Sequence, residues 1–335
     1  MNDSLALPIH DPSQAGEARR LVAAWSRGHG WGEEMAGRVA IVITELGLNL
    51  ALHTKGGTLL LRSLSQGSAS GVEILSLDAG PGVANFNECL RDGYSTAGTS
   101  GTGLGAVRRA SHVFATHSQP GIGTVLLSEV WAKPPDFRAG RQWLCGAINV
   151  AMPGELVCGD SWAEQHSRPD VMRAMIADGL GHGEFAAQAA ARAVEIFEKF
   201  PAVELPALLE QMHDGMRSTR GAAVAIAEVD LTRELIGYAG IGNIIASIVT
   251  HDSSASLVSM NGTVGVQCRA YRLFTYPWPR GGALVMMSDG LKSHWQLGKY
   301  HGLLERHPGL IAGVLYRDYS RGSDDTTVLV VRAQS

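Results

Sequence analysis

The segment Ala132–Gly140, AKPPDFRAG, divides this chain. Its Pro-Pro pair fixes two φ angles and withholds two amide donors, so neither a helix nor a strand ladder runs through it. It follows the strand-like run Gly123–Trp131, GTVLLSEVW, and two units are expected, 1–132 and 140–335. The 335 residues are 45% hydrophobic and 18% charged, enough apolar material for a packed core in each. A net charge of -4 without any Lys/Arg run argues against nucleic acid as a partner. The opening MNDSLALPIHDPSQAGEARR has no basic stretch leading into an apolar one, and no apolar run reaches the roughly 18 residues of a bilayer span. A cytoplasmic protein with no membrane partner is expected. Its four cysteines, Cys89, Cys145, Cys158 and Cys268, form no CxxC pair and are expected to be reduced, mostly buried thiols.

In the front unit, Glu33–His53 carries Val39, Ile43, Leu46 and Leu50 at helical spacing, and Gly56-Gly57 ends that helix. Strands are expected at Thr58–Leu64, Val72–Leu77 and Thr124–Val130, with a second helix at Thr102–His112. Glu45 and Asn49 lie four apart and so share a helix face, where an acid and an amide oxygen can orient a hydroxyl and a Mg2+ ion. Taken alone, that pair is an ordinary solvated face. Two glycine clusters accompany it. Asp78-Ala-Gly80-Pro-Gly82 follows a buried strand, and Gly98-Thr-Ser-Gly101-Thr-Gly103-Leu-Gly105 runs straight into a helix. Glycines before a helix N-terminus let backbone N–H groups reach phosphates where the helix dipole favours negative charge. The GxGxG pattern is weak by itself, and it lacks the βαβ setting of a dinucleotide fold.

The order helix-E…N, strand-DxGxG, loop-GxGxG, strand-GT over residues 10–131 resembles the GHKL ATPases, and within them the RsbT-like switch kinases of bacterial partner-switching systems. The resemblance implies an α/β sandwich, a mixed sheet with helices on one face, that binds ATP with Mg2+. It also implies roles. Glu45 would be the general base for the substrate serine and Asn49 a Mg2+ ligand. Asp78 would accept from the adenine amino group, Gly80 and Gly82 would shape the base pocket, Gly101, Gly103 and Gly105 would line the phosphates, and Thr124 would sit near the adenine. The late-helix cation common in relatives corresponds to His53 or Lys55, with a cap or packed ring the ordinary reading of His53. No helical pair with a phospho-accepting histidine precedes the pocket, so a histidine kinase is not expected.

The rear unit shows strand-like stretches at Leu144–Val150, Leu156–Gln165 and Val171–Ala177, then helices at Glu184–Phe200 and Leu205–Arg217. Further strands are expected at Ala222–Val229, Leu235–Tyr238, Ile244–Val249, Arg269–Tyr276, Ala283–Met287 and Thr326–Val331, with a short helix before the last. Many strands around a pair of long helices point to packed sheets flanked by helices. Four aspartate sites border apolar runs: Asp160, Asp178, Asp289 and the pair Asp324-Asp325. Each alone is a common turn residue. Converging, they would make an all-oxygen site suited to Mg2+ or Mn2+ rather than Zn2+.

The pieces GDSW (159–162), IADGLGHG (176–183), YAGIGN (238–243), MSDGL (287–291) and SDDTTVLVV (323–331) resemble the PPM (phosphatase 2C-like) family in its SpoIIE and RsbX-like branch. This implies a β-sandwich flanked by helices (αββα) and two Mn2+ or Mg2+ ions. Asp160 and Asp178 would bridge the ions, the Gly179 carbonyl would be a further ligand, and Asp289 and Asp324 would each hold one ion, with Asp325 the lesser candidate of its pair. Leu180 and Gly181 separate His182 from the Asp-Gly pair that a general-acid histidine follows directly in eukaryotic relatives, which leaves His182 between a catalytic and a helix-start role. Asn243 reads as a structural polar turn supporting the site, Trp162 and Trp295 as packing. No arginine matches the phosphate-binding arginine of those relatives, so metal would hold most of the substrate phosphate.

Together the resemblances imply a bifunctional regulator of a stressosome or sigma-factor pathway. It would phosphorylate and dephosphorylate Ser/Thr of STAS-domain proteins, such as anti-sigma antagonists or stressosome components, and an oligomer is compatible with this. The alternative is a front unit that binds ATP only to dock or release a partner, joined to an active phosphatase.

Overall fold

The computed structural model describes residues 3–90, 103–135 and 142–334, apart from the side chains of Asn87 and Cys89. Over these residues the chain divides into two compact units. One holds 4–135 with 300–306, the other residue 3 with 142–299 and 307–334.

The front unit runs β1 (Leu5–Ile9), α1 (Pro12–Gly28), α2 (Glu33–His53), β2 (Gly57–Gln66), β3 (Ala69–Asp78), α3 (Phe86–Cys89), α4 (Gly103–Ala110), β4 (Val113–Gln119) and β5 (Gly123–Trp131). Its sheet has the order β1-β2-β3-β5-β4. The four pairings are all antiparallel, where a mixed sheet was expected. The connections explain two of the four. Only residues 67–68 join β2 to β3 and only 120–122 join β4 to β5, too few for a parallel crossover. Helix α2 has the length and mean hydropathy (1.5) of a membrane span. One face of it belongs to the core, where Val39, Val42, Ile43, Leu46 and Leu50 pack with Leu59, Leu61, Ile74 and Leu126 of the sheet, while Ile41 and Leu52 on the other face are exposed. Helix α1, unread in the sequence, is started by a capping box in which Asp11 accepts from the Ser13 and Gln14 amides and the Gln14 side chain accepts from the Asp11 amide. Arg62 and Glu73 face each other across β2 and β3 and form a buried ion pair at 2.9 Å.

The rear unit runs β6 (Trp143–Val150), β7 (Asp160–Arg168), β8 (Val171–Gly179), α5 (Glu184–Lys199), α6 (Leu205–Gly215), β9 (Ala222–Asp230), β10 (Leu235–Ile241), β11 (Ile245–Val249), β12 (Ser254–Ser256), β13 (Gly262–Thr263), β14 (Gln267–Cys268), β15 (Phe274–Pro277), β16 (Ala283–Met287), a 3-10 turn at Leu297–Lys299, α7 (Pro308–Tyr319) and β17 (Thr326–Ala333). Two five-stranded antiparallel sheets form, β15-β10-β9-β8-β7 and β12-β11-β16-β17-β6, beside the small β13-β14 hairpin. Alternate residues of each strand set the layers. Met172, Ala174 and Ile176 of β8 and Ala225 and Ala227 of β9 pack with Leu284, Met286, Leu329 and Val331 of the other sheet. Their neighbours Met175, Ala177, Val224 and Ile226 turn outward onto α5 and α6. Helix α7 covers β6 and β17 on the opposite side. The result is the expected αββα sandwich.

Two expected strands are shorter than their sequence suggested. Leu156–Gln165 becomes a strand only at Asp160, because Leu156 is 98% exposed and the amides of Met152 and Gly159 are tied to the Asp325 carboxylate instead of a ladder. Arg269–Tyr276 yields only Phe274–Pro277. Of the three cysteines with described side chains, all free, Cys158 is buried while Cys145 and Cys268 are partly exposed.

Candidate functional sites

In the front unit, Asp78 ends β3 and is nearly buried. Its Oδ1 accepts from the Gly80 amide at 2.8 Å and the Thr124 amide at 3.3 Å, which joins the DxGxG turn to the start of β5. Thr124 exchanges a hydroxyl hydrogen bond with Ser118 at 2.8 Å, and Ser118 also accepts from the Val83 amide. Gly82 has φ +66, and a Cβ there would lie 2.1 Å from the Gln119 carbonyl oxygen, so only glycine lets the turn close on β4. A Cβ on Gly80 would lie 2.9 Å from Asp78 Oδ1. Glu45 and Asn49 are half-buried one turn apart on α2. Glu45 Oε2 stands 2.7 Å from where a Cβ on Gly103 would be, so the acid meets the first turn of α4. Gly105 is buried within that helix. Gly101, with the rest of 98–102, lies outside the described residues. His53 ends α2 exposed, neither packed nor capping, and Lys55 is exposed as well.

In the rear unit the aspartates come together. Asp160 opens β7 and Asp178 nearly closes β8, and the two are direct register partners. Asp289 follows β16 and Asp324 precedes β17, strands paired so that Met287 faces Val328. Asp178, Asp289, Asp324, Asn243 and His182 line one cavity of about 450 Å³. Asp160 lies behind it, 4% exposed, and its Oδ2 has no hydrogen-bond partner.

Burial, then mutual repulsion, governs the charges. Burial raises Asp178 well above the ordinary carboxylate range, and Asp160, Asp289 and Asp324 push it further. Asp160 is raised by burial against the opposing hydroxyls of Ser288 and Thr327, with Asp325 and Asp289 adding to the rise. Asp289 is raised by burial and Asp324, while Arg321 and the Asn243 hydrogen bond pull it down. Such a set is short of positive charge. Among the described residues no three His, Cys, Asp or Glu side chains already close around one point as an ion cage. The donor chemistry, a row of carboxylates in one cavity with an orphaned buried oxygen behind them, still fits a hard divalent cation.

The neighbours are informative. Asp325 accepts from the Met152 amide at 2.8 Å and the Gly159 amide at 2.9 Å, and so serves the loop before β7. Gly179 donates its amide to the Gly159 carbonyl, and a Cβ there would clash with the Ala186 carbonyl oxygen at 2.1 Å. Asn243 does more than shape a turn: its Nδ2 donates to Asp289 Oδ2 at 2.7 Å. His182 does not start α5, whose N-cap is Gly183. Its Nδ1 meets Glu155 Oε1 at 2.6 Å, with the ring at the cavity wall. Trp162 is packed in the inter-sheet core, as expected. Glu155 was missed as a site residue, and Asn243 was read only as a turn supporting the site. A DGLGHG-type turn hints at a histidine but carries no sign of its partner, which is 27 positions away.

An αββα sandwich with strand-end aspartates gathered in one cavity defines a PPM-type phosphatase domain. Residues 168–334 match the family model described as Stage II sporulation protein E (SpoIIE), and the rear unit carries this SpoIIE phosphatase domain. Serine/threonine-protein kinase RsbT of Bacillus subtilis (strain 168) is 29% identical over 133 residues, covering 40% of this chain and 100% of RsbT. A chain of the solved structure described as "The bacterial stressosome: a modular system that has been adapted to control secondary messenger signaling" is 26% identical, with TM-score 0.53, over 57% of this chain and 99% of that one. RsbX in complex with magnesium is 18% identical, with TM-score 0.49, over 57% and 96%. The chain is an enzyme in which a serine/threonine phosphatase domain is joined to a homologue of a serine/threonine kinase.

Proposed function

We propose that this chain is a partner-switching regulator that both adds and removes phosphate on Ser/Thr of STAS-domain proteins. A kinase-like domain at 1–132 and a phosphatase domain at 140–335 would act in the cytoplasm on anti-sigma antagonists or stressosome components. The observation that carries the reading is the single cavity walled by Asp178, Asp289 and Asp324, with Asp160 at its back.

In the phosphatase, Asp160, Asp178, Asp289, Asp324 and the Gly179 carbonyl would hold two Mn2+ or Mg2+ ions. Bound ions would supply an acidified water and neutralise phosphate oxygens at neutral pH. The protein's own part is placement. Asn243 fixes the Asp289 carboxylate by its 2.7 Å hydrogen bond, and Asp325 pins the loop that leads into Asp160. Glu155 orients His182 so that its Nε2 is left for the leaving serine oxygen.

In the kinase-like unit, Glu45 Oε2 would take the serine hydroxyl proton and Asn49 would hold Mg2+. Asp78, with Gly80, Gly82 and Thr124 around it, would receive the adenine of ATP, and Gly101, Gly103 and Gly105 would receive the phosphates. Phosphoryl transfer needs chiefly positioning and charge neutralisation, so this short set suffices. The approach of Glu45 to Gly103, the first residue of α4, favours chemistry over mere nucleotide-gated docking, because it sets a base beside one of the residues proposed to receive the phosphates.

The test is incubation of the full chain with STAS-domain proteins, first with labelled ATP and Mg2+, then with Mn2+, read by mass spectrometry. Phosphate gained at one Ser/Thr and then lost supports the reading. No gain, together with Mn2+-dependent loss from a STAS-domain protein phosphorylated beforehand, supports the docking alternative. Neither event overturns both.

A further inference from the structure

A cation stands beside Gly181, one of the residues that wall the cavity. Arg220, exposed just before β9, lies across from the loop that follows β8, and the Leu180 amide donates to the Gly221 carbonyl at 3.0 Å to hold the two segments together. The guanidinium carbon sits 4.9 Å from the ring centroid of Phe185, which is itself 61% exposed. Arg220 Nη1 is the nearest heavy atom, at 3.3 Å, to the position a Cβ would take on Gly181. Gly181 and its neighbours Leu180 and His182 wall the same cavity as Asp178, Asp289 and Asp324. Among the described residues no carboxylate pairs with Arg220. The nearby Arg217, by contrast, is held by Asp214 at 3.1 Å.

An exposed arginine with no carboxylate partner can spend its donors on an incoming anion. This one is stacked on an aromatic ring, which fixes the plane of its fork and leaves its N–H donors unspent. Such a fork matches two oxygens of a phosphoryl group. We infer that Arg220 grips the phosphoryl group of the incoming phosphoserine or phosphothreonine at the cavity mouth, with Phe185 as its support. The inference rests on the phosphatase reading of this cavity. It supplies, from the segment just before β9, the phosphate contact for which the linear sequence offered no arginine.

The test uses the full chain with Mn2+, p-nitrophenyl phosphate as substrate and orthophosphate as competitor. Arg220→Ala is expected to raise both KM and the orthophosphate inhibition constant roughly tenfold, the loss of one charge-assisted hydrogen-bonding group. It should leave kcat within about threefold and the Mn2+-induced rise in Tm unchanged. Arg220→Lys should recover part of the loss and Phe185→Leu should cause part of it, while Arg217→Ala should change neither constant. Parental KM and inhibition constants in Arg220→Ala would overturn the inference, as would an equal rise in Arg217→Ala, which would assign the effect to overall charge. In those cases the parent still turns over and the phosphatase reading stands. A parent chain with no Mn2+-dependent hydrolysis defeats that reading and this inference with it.

Discussion

Asp160 and Asp178 face each other across β7 and β8 as register partners, with Asp160 buried and Asp178 at the cavity wall. Two like charges set side by side in a desolvated place weaken the fold unless a cation joins them. Replacing Asp178 by Asn removes one of them. The metal-free variant is expected to be more stable than the parent by about 1 kcal/mol, or roughly 2–4 °C in Tm for a unit of this size. It should also lose the rise in Tm that Mn2+ gives the parent. Thermal melts with chelator and with Mn2+ check both.

The same repulsion sets a pH trend. Asp160, Asp178, Asp289 and Asp325 are all raised, chiefly by burial. An acid whose folded pKa exceeds its unfolded value keeps its proton longer when folded. Stability is therefore full below the ordinary carboxylate range and falls as pH climbs through the raised folded values. Melts of the chelated protein from pH 5 to about 8 should show Tm falling. Saturating Mn2+ should flatten or reverse the slope, because metal takes the place of the protons.

Asp324 and Asp325 are adjacent but do different work. Asp324 reaches the cavity, while Asp325 is spent on the amides of Met152 and Gly159. Asp324→Asn should weaken Mn2+ binding with little change in metal-free stability. Asp325→Ala should cost about 1–3 kcal/mol by leaving the buried Gly159 amide and the part-buried Met152 amide unmet. Denaturant unfolding and Mn2+ titration separate the two.

Much of this was legible in the sequence because apolar runs and glycine pairs are local signals. Ala283–Met287 is fully buried from end to end and was read to the residue. Helix α5 was read to within one residue because its alanine-rich face keeps strict helical spacing. Helix α1 was not, since its buried residues are Ala15, Ala18, Val22 and Ser26, too small a stripe to stand out; the Asp11–Gln14 capping box was the available sign. Edge strand β4 is only half-buried along most of its length, so its alternation is weak. The aspartates could be picked out by their apolar neighbours. Asn243 beside Asp289, Glu155 beside His182 and Arg220 beside Gly181 could not, because sheet register and loop docking, not sequence distance, bring each pair together.

Glu45 separates the two readings of the front unit. Glu45→Ala should abolish phosphate transfer to the partner and leave ATP affinity within a few-fold of the parent, because Asp78 and its glycine turn remain. Equilibrium nucleotide binding and labelled transfer measure the two arms. Retained transfer would assign the acid a merely structural place.

The most direct measurement is anomalous diffraction from crystals of the full chain soaked in Mn2+. Two peaks are expected in the rear cavity, a few ångströms apart, with Asp160 and Asp178 between them and Asp289 and Asp324 at either side. An empty cavity at saturating Mn2+, or peaks only at surface carboxylates elsewhere, would contradict a two-ion phosphatase.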